Sequence, residues 1–136
     1  MEKSEIEEIV QARLKDAEVL LEASRFDGSV YLCCYAIELG LKARICRTLQ
    51  LNEYPTSGKY KTFKTHDLDM LLHLTGLEDE VKLKYMTEWS VVAQWNPEAR
   101  YNPIGNVTEN DAKDMLDSAN ELIKPDYNGF REGTTC

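Results

Sequence analysis

The stretch Asp27-Gly28-Ser29-Val30-Tyr31-Leu32-Cys33-Cys34-Tyr35-Ala36-Ile37-Glu38-Leu39-Gly40-Leu41-Lys42-Ala43-Arg44 decides the fold. From Val30 to Leu41 it is apolar or small on every face, and Glu38 is its only charge. A soluble helix that is apolar all round must be covered on most sides, which predicts the central helix of a bundle. The run of about twelve residues falls well short of the roughly 20 that cross a bilayer. Glu38 is its anomaly. A carboxylate in such a core needs a cationic partner or must give up its charge, and the candidates are Lys42, one turn on, and a distant arginine.

Working outward, Ile6, Val10, Leu14, Ala17, Leu20 and Leu21 recur at three- and four-residue steps, predicting an amphipathic first helix over about residues 4–24. The turn Arg25-Phe26-Asp27-Gly28 leads into the central helix, with Asp27 or Ser29 as cap and an end near Leu49. Leu51 to Thr65 contains Pro55, Ser57 and Gly58 and keeps no period, so it reads as a long loop. Thr65 is placed to cap a short third helix that Gly76 stops. A fourth helix is expected from about Glu78 to Gln94, with Trp89 and Trp95 wedging its end against the bundle. Pro97 and Pro103 break the next segment into a rigid connection. Thr108 caps a last helix that Pro125 ends. The expected architecture is an all-α, up-and-down bundle of about five helices, one domain over residues 1–125, with residues 126–136 a disordered tail.

The formal net charge of −8 argues against a chain whose main task is to hold nucleic acid through its phosphates. The charge is uneven, however. Residues 42–64 carry six basic side chains against Glu53 alone, a local +5 that leaves −13 for the remainder. Within that segment Tyr54, Tyr60 and Phe63 accompany Lys59, Lys61 and Lys64, so rings could stack on a base while lysines meet phosphate; the alternative is a solvated surface loop. Cys33, Cys34, Cys46 and Cys136 form no C-x-x-C pair and no histidine stands at zinc spacing, so no metal site and no cofactor is expected. The first residues lack the basic and apolar regions of a signal peptide, which makes the cytoplasm the expected compartment.

Several pieces, taken in order, resemble the HEPN family of small helical domains. They are Leu14-Lys15-Asp16-Ala17 with Leu20-Leu21, Ala36-x-Glu38-x-x-Leu41-Lys42-Ala43, His66-Asp67-Leu68, Ala99-Arg100-Tyr101, and Thr108-x-x-Asp111-Ala112. The resemblance implies a bundle that works as a homodimer or beside a minimal nucleotidyltransferase, as in toxin–antitoxin pairs, with a nucleotide or RNA as ligand. Many such domains are metal-independent ribonucleases whose motif is an arginine and a histidine separated by four to six residues. Arg100 matches the arginine, but positions 105–107 hold Gly105, Asn106 and Val107, and no imidazole is available there for acid–base work.

The resemblance therefore implies a non-catalytic binding module, with Arg100, Asn102, Asn106, Lys42 and His66 as ligand-binding candidates and Glu38 as a structural residue. Arg100 either grips an anion in a fork geometry or reaches helix two and neutralises Glu38. His66 either orders the loop before the third helix or substitutes as acid or base; His73 reads as a solvated side chain with no nameable partner. The alternative function is a toxin-type ribonuclease with a displaced catalytic set, Arg100 stabilising the phosphorane and His66 moving the proton.

Overall fold

The computed structural model describes residues 1–95 and 105–123. Six α-helices and one 3-10 helix appear among them: α1 (Lys3–Glu22), α2 (Phe26–Thr48), the 3-10 helix (Gly58–Phe63), α3 (Leu68–Leu74), α4 (Glu78–Lys84), α5 (Met86–Ala93) and α6 (Glu109–Ile123). No strand forms among the described residues, only a single bridge between Glu2 and Glu53.

The centre of the bundle is α2, which packs on α1, α6 and α3, while α5 closes against α6. Ile6, Val10, Leu14 and Ala17 line the inner face of α1, and Ala112, Met115, Leu116, Ala119, Leu122 and Ile123 that of α6. Between them Cys33, Ala36, Ile37, Leu41, Ile45 and Cys46 of α2 are wholly enclosed. Each large aliphatic side chain among these contributes about 1.5–3 kcal/mol by leaving water. Near the start of α2, Ser29 Oγ donates to the Ala17 carbonyl at 2.8 Å, and a Cβ at Gly28 would stand 3.2 Å from Leu20 Cδ1. Small residues at positions 28 and 29 thus let α1 and α2 approach closely.

The ends of α1 and α2 share one device. Arg25 N bonds to Leu20 O and Ser24 N to Leu21 O, with Ser24 in the left-handed region; Leu51 N bonds to Cys46 O and Gln50 N to Arg47 O, with Gln50 likewise left-handed. Both are Schellman closures built without the usual glycine, which is why the end of the first helix is soft in the sequence. The last helix opens on a reciprocal cap: Asp111 N donates to Thr108 Oγ1 and Thr108 N to Asp111 Oδ2, each at 3.1 Å.

Four local expectations are corrected. The second helix opens at Phe26 after Arg25 with no side-chain cap, so Asp27 and Ser29 lie inside it and do not cap it. The cap of α3 is Asp67, whose carboxylate accepts from Met70 N at 3.1 Å, while Thr65 Oγ1 accepts from Asp67 N one step earlier. The long fourth helix is two, broken at Tyr85 (φ −125°, ψ 36°). No proline or glycine marks that break, so periodicity alone reads through it. The 51–65 loop contains the 3-10 helix and buries Tyr54. Trp89 is buried and Trp95 packs against the core, as the wedge required. The proline-bearing connection at residues 96–104 and the tail from residue 124 lie outside the described residues.

Candidate ligand-binding site

Glu38 sits within α2 at 7 % exposure, and a charge so enclosed is stable only with partners. It has two. Lys42 Nζ donates to its Oε2 at 3.1 Å from the next turn, and His66 Nδ1 meets the same oxygen at 2.9 Å from the loop before α3. The side chains grade outward, Glu38 at 9 %, Lys42 at 16 % and His66 at 63 % exposure. The carboxylate anchors the imidazole by one nitrogen and leaves Nε2 as the remaining polar atom of an exposed ring. A buried carboxylate that fixes an imidazole in this way sets both its tautomer and its orientation.

Tyr54 lies beneath this group. Its ring centroid is 5.2 Å from the Lys42 ammonium, and its hydroxyl donates to the Phe63 carbonyl. Burial pushes the Tyr54 phenol up, and negative charge at Cys46 and Glu38 adds to the effect. Tyr54 is pinned from the other side as well: its N donates to Met1 O at 3.2 Å, and Lys3 N donates to Asn52 O at 2.7 Å. The loop therefore has a fixed root. From it project Lys59, Lys61 and Lys64, all exposed, on the 3-10 helix and the residue after it. No acidic residue falls between Tyr54 and His66.

Of the sequence-derived candidates, Lys42, His66 and Glu38 are thus brought together. Asn106 is not among them. It is exposed and follows Gly105, whose N donates at 2.8 Å to Asp27 Oδ2 in the first turn of α2. Eleven residues separate Asp27 from Glu38, roughly 16 Å along the helix axis. Arg100 and Asn102 lie outside the described residues, and so does any pairing of Arg100 with Glu38.

The sequence marks Tyr54 only as a loop aromatic and carries no spacing that pairs Glu38 with His66. The available signal was a lone charge in an apolar helix together with a histidine in a neighbouring loop. His73, expected to be solvated without a partner, meets Glu78 Oε1 at 3.2 Å across the turn from α3 to α4.

A separate cavity of about 570 Å³ opens between α1, α2 and the end of α6. Glu7 and Glu8 face Arg44 and Arg47 across it, and Arg47 approaches Glu7 at 3.6 Å. Its wall charges cancel, and Glu38, Lys42 and His66 do not line it. Among the described residues no group of three or more His, Cys, Asp or Glu side chains is arranged to hold a metal ion, and no helix is long and apolar enough to cross a membrane. Cys33 is chemically quiet, its thiol pushed up to about 12 by burial and then by its neighbour Cys34.

No curated protein and no solved structure matches the chain. The family description "HEPN domain" matches residues 8–128, which runs from within α1 through α6 and contains Glu38, Lys42 and His66. With a helical fold and a match over most of its length, the chain belongs to the HEPN domain family.

Proposed function

We propose that this chain is a cytoplasmic, non-catalytic HEPN-type binding module that takes RNA or a nucleotide on the face formed by His66 and the lysine-bearing loop. One observation carries the reading: the histidine anchored by buried Glu38 closes a stretch that bears exposed Lys59, Lys61 and Lys64 and no acidic residue. In an otherwise acidic protein this is a local surface where phosphate is attracted. Lys42 contributes from behind, with its ammonium committed to Glu38 and Tyr54. Arg100, Asn102 and Asn106 would extend the face. The working unit is a homodimer or a pair with a minimal nucleotidyltransferase, and exposed Met70, Leu83 and Met86 on α3 to α5 are apolar material for such a contact.

The test is fluorescence anisotropy with a labelled RNA at low salt. Binding that is lost when Lys61 and Lys64 are both changed to Glu supports the reading, and absence of binding by the unaltered protein overturns it. Light scattering after size exclusion reads the assembly, and a monomer that takes no nucleotidyltransferase removes that part.

The ribonuclease alternative is favoured by one specific observation, the orientation of an exposed imidazole by a buried carboxylate, an arrangement that suits acid–base work. Total RNA incubated with the protein in EDTA at neutral pH separates the two readings. Intact RNA is expected. Cleavage abolished by both Arg100→Ala and His66→Ala would establish the enzyme instead.

A further inference from the structure

The aromatic rings of the basic loop are engaged with the protein itself. Tyr54 is buried, with its hydroxyl on Phe63 O and the Lys42 ammonium over its ring. Phe63 stands between two rings, 6.1 Å from Tyr54 in a tilted arrangement and 5.4 Å from Tyr60 edge to face. Tyr60, half-buried, carries the Lys59 ammonium 5.3 Å from its centroid. A base-stacking platform needs an open ring face. Here the three rings form a small cluster in which none is fully exposed, while Lys59, Lys61, Lys64 and the His66 ring are exposed.

From this juxtaposition we infer that the loop holds a polynucleotide through its phosphates alone, without stacking a base, so that binding is independent of base identity. The inference rests on the RNA-binding reading and narrows it to the sugar–phosphate chain. Aromatics that look like a base-binding set in the sequence act instead as the scaffold that spaces Lys59, Lys61 and Lys64. A chain of phosphates meeting three lysines displaces condensed counterions, and for a single strand the slope of log affinity against log salt is then roughly −2.

The experiment uses the full chain with labelled oligo(U) and oligo(A) of equal length, inorganic polyphosphate as competitor, and an oligonucleotide containing 2-aminopurine. Expected are affinities for oligo(U) and oligo(A) within about twofold, displacement of both by polyphosphate, a slope reduced by about 0.7 in Lys61→Ala, and unquenched 2-aminopurine fluorescence. Tyr60→Leu should bind within about twofold of the unaltered protein, because leucine keeps apolar contact with Phe63 and only stacking capacity is removed. A preference between the two oligonucleotides above about fivefold, or quenching of 2-aminopurine, overturns the inference while leaving RNA binding intact. The fluorescence readout needs no variant, so it decides the matter even where Tyr60→Leu disturbs the loop. Failure of every oligonucleotide to bind at low salt overturns this inference together with the reading beneath it.

Discussion

The chain builds the same three-residue contact twice. Glu38 takes Lys42 four residues on and His66 from a loop; Glu78 takes Lys82 four residues on and His73 from across a turn. The distances are close, 3.1 and 2.9 Å in the first group, 3.3 and 3.2 Å in the second. Burial separates them, the glutamate side chain being 9 % exposed in one and 31 % in the other, and lysine 16 % against 47 %. Water screens the outer group, and exposed pairs of this kind add little. In the inner group the carboxylate has lost its hydration, so its partners are required. One arrangement is a surface accident of helix spacing; the other fixes a histidine beside a basic loop.

The largest expected difference is in stability. Glu38→Ala leaves the Lys42 ammonium in a half-enclosed place without its acceptor, and should cost about 2–3 kcal/mol, a fall in Tm of roughly 5–10 °C. Glu78→Ala should leave Tm unchanged within the error of a thermal scan. Equal losses in the two variants would erase the distinction. A companion variant separates charge from packing: with Glu38→Leu and Lys42→Met together, no buried charge remains, and stability should return to within about 1 kcal/mol of the unaltered chain. A double variant as unstable as Glu38→Ala would show that the contact with His66, and not the enclosed charge, holds the region.

A smaller effect appears at alkaline pH. The Cys33 thiol, close to the core face of the helix that carries Glu38, is pushed from 9.0 to about 12, and Tyr54 moves in the same direction. Both are protonated in the fold and ionise more readily in the unfolded chain. The stability they contribute is present below pH 9.0 and is lost as pH rises towards 12. Denaturant midpoints should therefore fall steadily across that window, with Cys33 resisting alkylation until the chain unfolds. A midpoint flat through the window would contradict the burial of these groups.

How much of this could be read from residues alone follows from the range of each interaction. The central helix was legible because an apolar run excludes solvent whatever its neighbours are, and the last helix because Thr108 and Asp111 carry their cap within four residues. The break at Tyr85 was not, because backbone geometry changes there without a change of residue class. In the site, Glu38 was identifiable as a charge needing a partner, and Lys42 as one partner at helical spacing. His66 was not, since 28 residues and a loop of irregular path separate it from Glu38. The loop aromatics show the same limit in reverse: their types fit a base-binding set, and only the contacts of Tyr54 with Phe63 and of Phe63 with Tyr60 show that they bind one another.

The finest test of the contrast concerns the outer group. The Glu78 carboxyl is held below its ordinary 4.5, first by the hydrogen bond from His73 and then by that from Lys82. A lowered folded value means that its contribution to stability is present above the ordinary carboxylate range and lost as pH falls through the folded value. Carbon-13 NMR of the side-chain carboxyl should find its midpoint below 4.5, and His73→Ala should move it upward, because the main cause of the lowering has been removed. Thermal stability at neutral pH should not register the same change, since the pair is solvated on most sides. If His73→Ala lowers Tm as much as Glu38→Ala does, solvent exposure is not what divides the two groups, and the special standing of His66 is lost with it.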